Sequence, residues 1–337
     1  MEIKEYNDDF FNNAKTIDIY NSYVPYYLSV MKRYYENNNV ECIVASDTDL
    51  DVYLKYFPNV KYIYLNNFAV HLEEVNINLK YLNGISLATS QISEIDNEIL
   101  ENVEYLEIYY NKKMKIDFTR FKSVEHLSLV NYPYEDIKVE NDLITFRLKN
   151  ATKLTSLKGV NSKNLTKLVI DEAPKLLNIK DIDTSNVIEM TIENLRNLET
   201  IELICPKLTK FRIWDSKKMI NLEDFLGTCT NLKSLEILSY SDLKAVLKNV
   251  NFIDNLNYLE YFKTCFKILD GNLKPLLKLK EADILIFYRN YNLKDKDLPH
   301  IMVSIADPRY YCGKSVRLDS LELGKEDPRI LWTDRKR

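Results

Sequence analysis

The sequence predicts an α/β solenoid: a curved parallel β-sheet on the concave side, with short extended, 3₁₀ or helical return segments on the convex side. Three observations predict it. An apolar triplet at positions 1, 4 and 6 of a short segment recurs along the 337 residues. The copies are spaced almost evenly. About eight or nine residues remain for each return once strand and turns are subtracted, too few for long helices.

Allowing any apolar residue, the triplet fits Val60-Ile63-Leu65, Leu82-Ile85-Leu87, Val103-Leu106-Ile108, Val124-Leu127-Leu129 and Leu143-Phe146-Leu148. It continues at Leu165-Leu168-Ile170, Val187-Met190-Ile192, Leu208-Phe211-Ile213 and Leu232-Leu235-Ile237. Val40-Ile43-Ala45 is a weaker copy upstream, and Leu256-Leu259-Tyr261 and Leu279-Ala282-Ile284 are weaker copies downstream. From residue 40 to residue 232 the steps are 20, 22, 21, 21, 19, 22, 22, 21 and 24 residues. Each triplet puts one short strand's apolar side chains on one face, and a single unit cannot bury that face alone. Stacking units in parallel, ~4.8 Å apart, builds a continuous core. The returns supply a second apolar pair: Leu154/Leu157, Leu176/Ile179, Leu198/Ile201 and Met219/Leu222. "DLDVYLKYF" and "LEDFLGTC" are the segments expected to be helical.

Over roughly residues 40–290 this pattern resembles the leucine-rich repeat family, in a bacterial-like cytosolic form. The resemblance implies a solenoid that binds other proteins. Members usually carry Asn at position 9, bonding backbone groups between turns. Here only Asn111 stands there, whereas position 8 is often polar: Asn67, Thr89, Asn131, Asn150, Asn194, Asp215 and Ser239. These are the expected backbone-satisfying residues.

Three regions follow. Residues 1–39 lack the repeat and form an N-terminal cap, partly helical from about Pro25 to Tyr35, with Pro in the first turn. Residues 40–290 form an array of about 11–12 units. Residues 291–337 are irregular terminal units or a cap plugged by Trp332, with a partner-binding tail as the alternative.

Composition narrows the chemistry. The chain is 46% hydrophobic, enough for a large core, and its net charge of −4 offers no basic excess for phosphate contacts. No signal-peptide pattern opens it and no apolar run reaches the ~18 residues of a membrane span, so a cytoplasmic location is expected. Six glycines, without GxGxxG or GxxxxGK[ST], leave little for a phosphate-cradling loop. The five cysteines are scattered and none forms CxxC, so no metal, cofactor or disulfide framework is expected. Cys205 and Cys229 occupy the slot three residues before a unit's first apolar residue, where other units place Phe57, Leu79, Leu100 and Phe121. A thiol serves there as a small core hydrophobe.

Positions 3, 5 and 7 of each strand should face outward, where packing does not dictate identity. They form a stripe that is aromatic (Tyr62, Tyr64, Tyr105, Tyr109), with Glu107 and His126 among the rings, then basic (Arg147, Lys149, Lys167). It turns acidic (Asp171, Glu189, Glu193), then basic beside a tryptophan (Lys210, Arg212, Trp214). Tyr, Trp and Arg are the residues that most often anchor protein interfaces. The expected function is display of these anchors to another protein, by a chain that is monomeric when free and binds neither nucleic acid nor membrane. High Asn, Lys, Ile and Tyr usage points to an AT-rich genome of bacterial type, so an immunity or inhibitor protein, or a scaffold, fits. The alternatives are an exported virulence or adhesion protein and an enzyme using Cys312 or His126.

Overall fold

The computed structural model describes residues 16–19, 42–45, 59–65, 83–216, 218–239, 246–284, 292, 301–306 and 315–317. The chain divides into two compact units, residues 1–133 with 139–149, and residues 134–138 with 150–337. Each is a parallel-sheet solenoid of leucine-rich-repeat type.

In the first unit the sheet runs β1 (Thr16–Ile19), β2 (Cys42–Ala45), β3 (Tyr62–Leu65), β4 (Gly84–Ala88), β5 (Tyr105–Tyr109), β6 (His126–Val130) and β7 (Thr145–Lys149), neighbours paired in chain order. The register aligns like positions. Ile63 pairs Ile85, Ile85 pairs Leu106, Leu106 pairs Leu127 and Leu127 pairs Phe146, all at position 4. These side chains are buried. The sheet starts earlier than residue 40, because β1 pairs β2 in parallel with Ile17 opposite Ile43. A strand of the repeat therefore lies within residues 1–39.

In the second unit the main sheet is ordered β8 (Lys167–Asp171), β10 (Glu189–Glu193), β12 (Lys210–Trp214), β13 (Ser234–Leu238), β15 (Tyr261–Thr264), β17 (Glu281–Ile284), β18 (Ile301–Ala306) and β19 (Ser315–Arg317). All pairings given along it are parallel except β18 with β19. Two small parallel ladders form on the returns, β9 (Asn178–Ile179) with β11 (Thr200–Ile201), and β14 (Val246–Leu247) with β16 (Lys267–Ile268).

The returns are otherwise short 3₁₀ turns, at Thr89–Glu94, Phe118–Arg120 and Lys274–Lys278, and brief helices. Among the described residues the helices are α1 (Asn97–Leu100), α2 (Leu222–Gly227) and α3 (Phe252–Asn255). Helix α2 lies in the expected "LEDFLGTC" segment. The helices expected near 25–35 and 49–57, Trp332 and a C-terminal binding tail lie outside the described residues. No helix among the described residues is long and apolar enough to cross a membrane.

Two readings of the repeat are corrected. The copy at Leu256-Leu259-Tyr261 is shifted by three residues: Phe262 pairs Leu235, so the triplet is Leu259-Phe262-Thr264. Leu256 instead packs at the end of α3, and Tyr261 moves to position 3. Met219 and Leu222 are only half-buried. The step from 208 to 232 is long enough to build α2, whose Phe225 and Leu226 fill the core instead, Phe225 edge-on to Phe211 with centroids 5.1 Å apart. The pairs Leu154/Leu157, Leu176/Ile179 and Leu198/Ile201 are buried as expected.

Position 8 works differently from the expectation. Asn131, Asn150, Asn194 and Asp215 have φ between 49° and 59°, turning the chain out of the strand. Asn and Asp tolerate this left-handed region better than other side chains. Their own N–H groups donate to the position-7 carbonyl of the next repeat, at 2.9 Å in each case. Side-chain bonds to the neighbouring repeat's backbone come chiefly from other asparagines: Asn141 to Phe121 O, Asn186 to Lys163 O, Asn197 to Pro174 O and Asn231 to Pro206 O. Asn221 acts as a strand surrogate, accepting from Ile201 N and donating to Ile201 O. Thr89, which accepts from Lys112 N and donates to Lys112 O, and Asn111 at position 9, which accepts from Ser90 N, fit the original expectation.

Glu172 is the strained member of the position-8 set, at φ 58° without a short amide or carboxylate side chain. Glu172→Asn is expected to stabilise the chain by about 0.5–1 kcal/mol, read as a rise in denaturant midpoint at constant slope. An unchanged or lower midpoint would remove strain at this turn from the account.

Candidate functional site

The outward face is built by the alternation of each strand. In β5, β7, β8, β10 and β12 the residues at positions 4 and 6 are buried, while those at 3, 5 and 7 are half-buried or exposed. The expectation fails on β4, where Gly84, Ser86 and Ala88 are all buried. Their short or absent side chains lie beside the long ones of Tyr105, Glu107 and Tyr109 in register on β5.

On the first unit the structure brings five expected residues together. The rings of Tyr105 and His126 stack face to face, centroids 4.1 Å apart and 2° from parallel. Glu107 accepts from Ser128 Oγ at 2.9 Å and from Ser86 Oγ at 3.4 Å. The Tyr109 hydroxyl also bonds Glu107; burial, then the Glu107 charge, push that phenol up to about 12. Tyr105, Glu107, His126 and Arg147 line one depression of about 240 Å³, with Ser128, Thr145 and the backs of Ile85, Leu106 and Leu127. Burial lowers the His126 pKa below its ordinary value, despite Glu125 and Glu104, so the ring is neutral at pH 7. Lys149 is exposed. Tyr62 and Tyr64 fall in β3, but their side chains lie outside the described residues.

The Ser128 hydroxyl donates to Glu107 rather than to His126, and His126 is held by ring stacking. Cys312 lies outside the described residues.

On the second unit the charges expected as separate blocks are paired between strands. Glu189 is held between Lys210 at 2.8 Å and Lys167 at 3.2 Å, one on each neighbouring strand. The Lys210 hydrogen bond first, and Lys167 with it, hold the Glu189 carboxyl below its ordinary pKa. The linkage is therefore intact at neutral pH and lost as pH falls through that depressed value. Arg212 grips Glu236 through two bonds, Nη2 at 2.9 Å and Nε at 3.1 Å, and its guanidinium carbon lies 4.8 Å from the Trp214 ring centroid. Lys263 pairs Asp283 at 3.2 Å. Burial raises the Asp283 pKa against the opposing pull of Lys263. Position 5 thus reads Arg212, Glu236, Lys263, Asp283, alternating in sign along the sheet. Asp171 accepts from Asn194 Nδ2 at 2.8 Å, and Glu193 is half-buried opposite Trp214.

Sequence reasoning placed Glu236, Ser86 and Ser128 at outward position 5 without their pairings to Arg212 and Glu107, and it missed Lys263 and Asp283 as members of this row. The copy Leu259-Phe262-Thr264 was available as the signal for Lys263, but its polar position 6 hid it.

The thiols are core groups. Cys205 and Cys229 are fully buried, like Leu100 and Phe121 in the same slot, and are free, as is Cys265. Burial raises Cys205 to about 11 and Cys229 to about 12. Both are expected to resist an aromatic disulfide reagent at pH 8 and to react fully on unfolding, since so little thiolate is present and none of it is exposed. Native labelling of either at the rate of an exposed thiol would contradict the core assignment.

No protein-family model matches this sequence, and no curated protein does. Among solved structures, the chain is similar to the crystal structure of an internalin (inlF) from Listeria monocytogenes str. 4b F2365. The identity is 11% and the TM-score 0.46, over 80% of this chain and 82% of that one.

Proposed function

We propose that the exposed strand faces are protein-binding surfaces and that the chain is an interaction module. The observation that carries this reading is the ordering of large side chains on an open face. Arg212 is fixed by Glu236 over Trp214, and Tyr105 is fixed against His126. Side chains immobilised before association lose less entropy in it. Tyr, Trp and Arg are also the usual interface anchors.

The proposed partner is another protein, met in the cytoplasm by a monomeric chain. The role that fits is that of an immunity or inhibitor protein that blocks a toxin, or of a scaffold. On the first unit the contact residues are Tyr105, Glu107, Tyr109, His126, Arg147 and Lys149, and Tyr62 and Tyr64 belong to the same proposal. On the second they are Lys167, Asp171, Glu189, Glu193, Lys210, Arg212 and Trp214.

The test is titration of the purified partner against single variants. Trp214→Ala and Tyr105→Ala test the two faces separately, and Lys175→Ala, an exposed residue off the strands, is the control. A face in use is expected to lose about 1–3 kcal/mol of affinity on removal of its anchor, roughly 5- to 150-fold. Loss confined to Lys175→Ala would place binding elsewhere.

A further inference from the structure

The first unit's face ends its aromatic stack on an open rung. Position 3 is Tyr105 on β5, His126 on β6 and Thr145 on β7, each in register with the next. The first two rungs are rings stacked 4.1 Å apart. The third is a threonine, too short to cover the outer face of the imidazole. Two residues along β7, on the same side of the strand, Arg147 is exposed and makes no ion pair among the described residues. The depression of about 240 Å³ is lined by His126, Thr145, Arg147, Ser128 and Glu107.

The size and charge of this depression select its occupant. It is smaller than the pockets of about 300–1,000 Å³ that hold drug-sized molecules, and takes one side chain. It carries one carboxylate, Glu107, and one guanidinium, Arg147. A carboxylate entering it gains Arg147 but meets Glu107, and a basic group gains Glu107 but meets Arg147, so the gain of either charge is offset by a penalty. A neutral ring meets neither penalty. It gains a stacking surface on His126, and Arg147, on the same rung as Thr145, stands at its edge, where a guanidinium donates to a phenol oxygen.

We propose that this depression binds one aromatic side chain of the partner, above all a tyrosine, as a third ring on the Tyr105–His126 stack over Thr145 and beside Arg147. The proposal rests on reading this face as a binding surface. Its test uses small probes and needs no partner, so it can fail while the wider reading stands.

The probes are N-acetyl-tyrosine amide, N-acetyl-arginine amide and N-acetyl-aspartate amide. The readout is the His126 ring proton resonances, identified among three histidines by their loss in His126→Gln. The tyrosine probe is expected to move them upfield, saturably, in the millimolar range. Arg147→Gln should weaken that probe by at least about threefold through loss of the guanidinium that donates to its hydroxyl. Thr145→Trp should fill the rung and abolish the shift, with wild-type melting showing that the variant folds. If Thr145→Trp misfolds, the Arg147→Gln comparison decides alone. No saturable shift, or tighter binding of the arginine or aspartate probe, would overturn the proposal.

Discussion

Leu168→Asp is expected to unfold much of the second unit. Leu168 is fully buried at position 4 of β8 and pairs Met190 of β10. Replacing it forfeits about 1.5–3 kcal/mol of apolar burial. It also leaves a carboxylate in the core without a partner, which costs several kcal/mol more or forces the group to stay protonated. A domain has only about 5–15 kcal/mol in total. Repeats depend on their neighbours, so the loss spreads along the stack. Circular dichroism should show a large loss of β signal at neutral pH. Leu168→Met should cost less than about 1.5 kcal/mol. An unchanged spectrum and melting temperature in Leu168→Asp would sink the repeat register.

Gly159→Ala should be nearly as damaging through backbone geometry. Gly159 has φ +106°, outside the range L side chains readily adopt, and an added Cβ would stand 2.3 Å from the Ile137 carbonyl oxygen. That atom is backbone and cannot swing aside. Strain and clash together should cost more than about 2 kcal/mol, measured by chemical denaturation. Gly227 at the end of α2 is the matched control, since a Cβ there meets nothing within 4 Å. Gly227→Ala should be neutral or stabilising by up to about 1 kcal/mol. Equal effects at the two sites would contradict the special role of the Gly159 turn.

The parts of the fold legible in the sequence are those governed by burial. Leu165, Leu168 and Ile170 announce a strand because three apolar residues must share one face, and all three are buried. The reading slipped where an apolar residue had another use. Leu256 closes α3, so a loose triplet matched three residues early. Position 6 of the true copy is Thr264, fully buried yet polar. Glu172 shows the same limit in the turns: its left-handed conformation is imposed by the repeat and contradicts its residue type.

The face was legible as a set of positions but not as a set of contacts. The alternation of β8, β10 and β12 turned Lys167, Glu189, Lys210, Arg212 and Trp214 away from the core, the two lysines exposed and the other three half-buried. Which charges meet depends on register across strands more than 20 residues apart. A stripe that reads in sequence as acidic and basic blocks is folded into pairs, Glu189 with two lysines and Arg212 with Glu236. Likewise Tyr105 and His126 become stacked rings only because β5 and β6 align without offset. Lys263 was lost from view with the shifted triplet.

The central claim is that the exposed strand face meets the partner, and side-chain footprinting of the free and bound chain tests it most directly. Hydroxyl radicals modify Tyr, Trp and Met in proportion to their exposure. The account predicts that partner binding protects Tyr105 and Tyr109 on the first unit, Trp214 on the second, or both sets. Met114 and Tyr258, exposed but off the strands, should be modified as before. Protection of Met114 or Tyr258 with Tyr105, Tyr109 and Trp214 unchanged would contradict it.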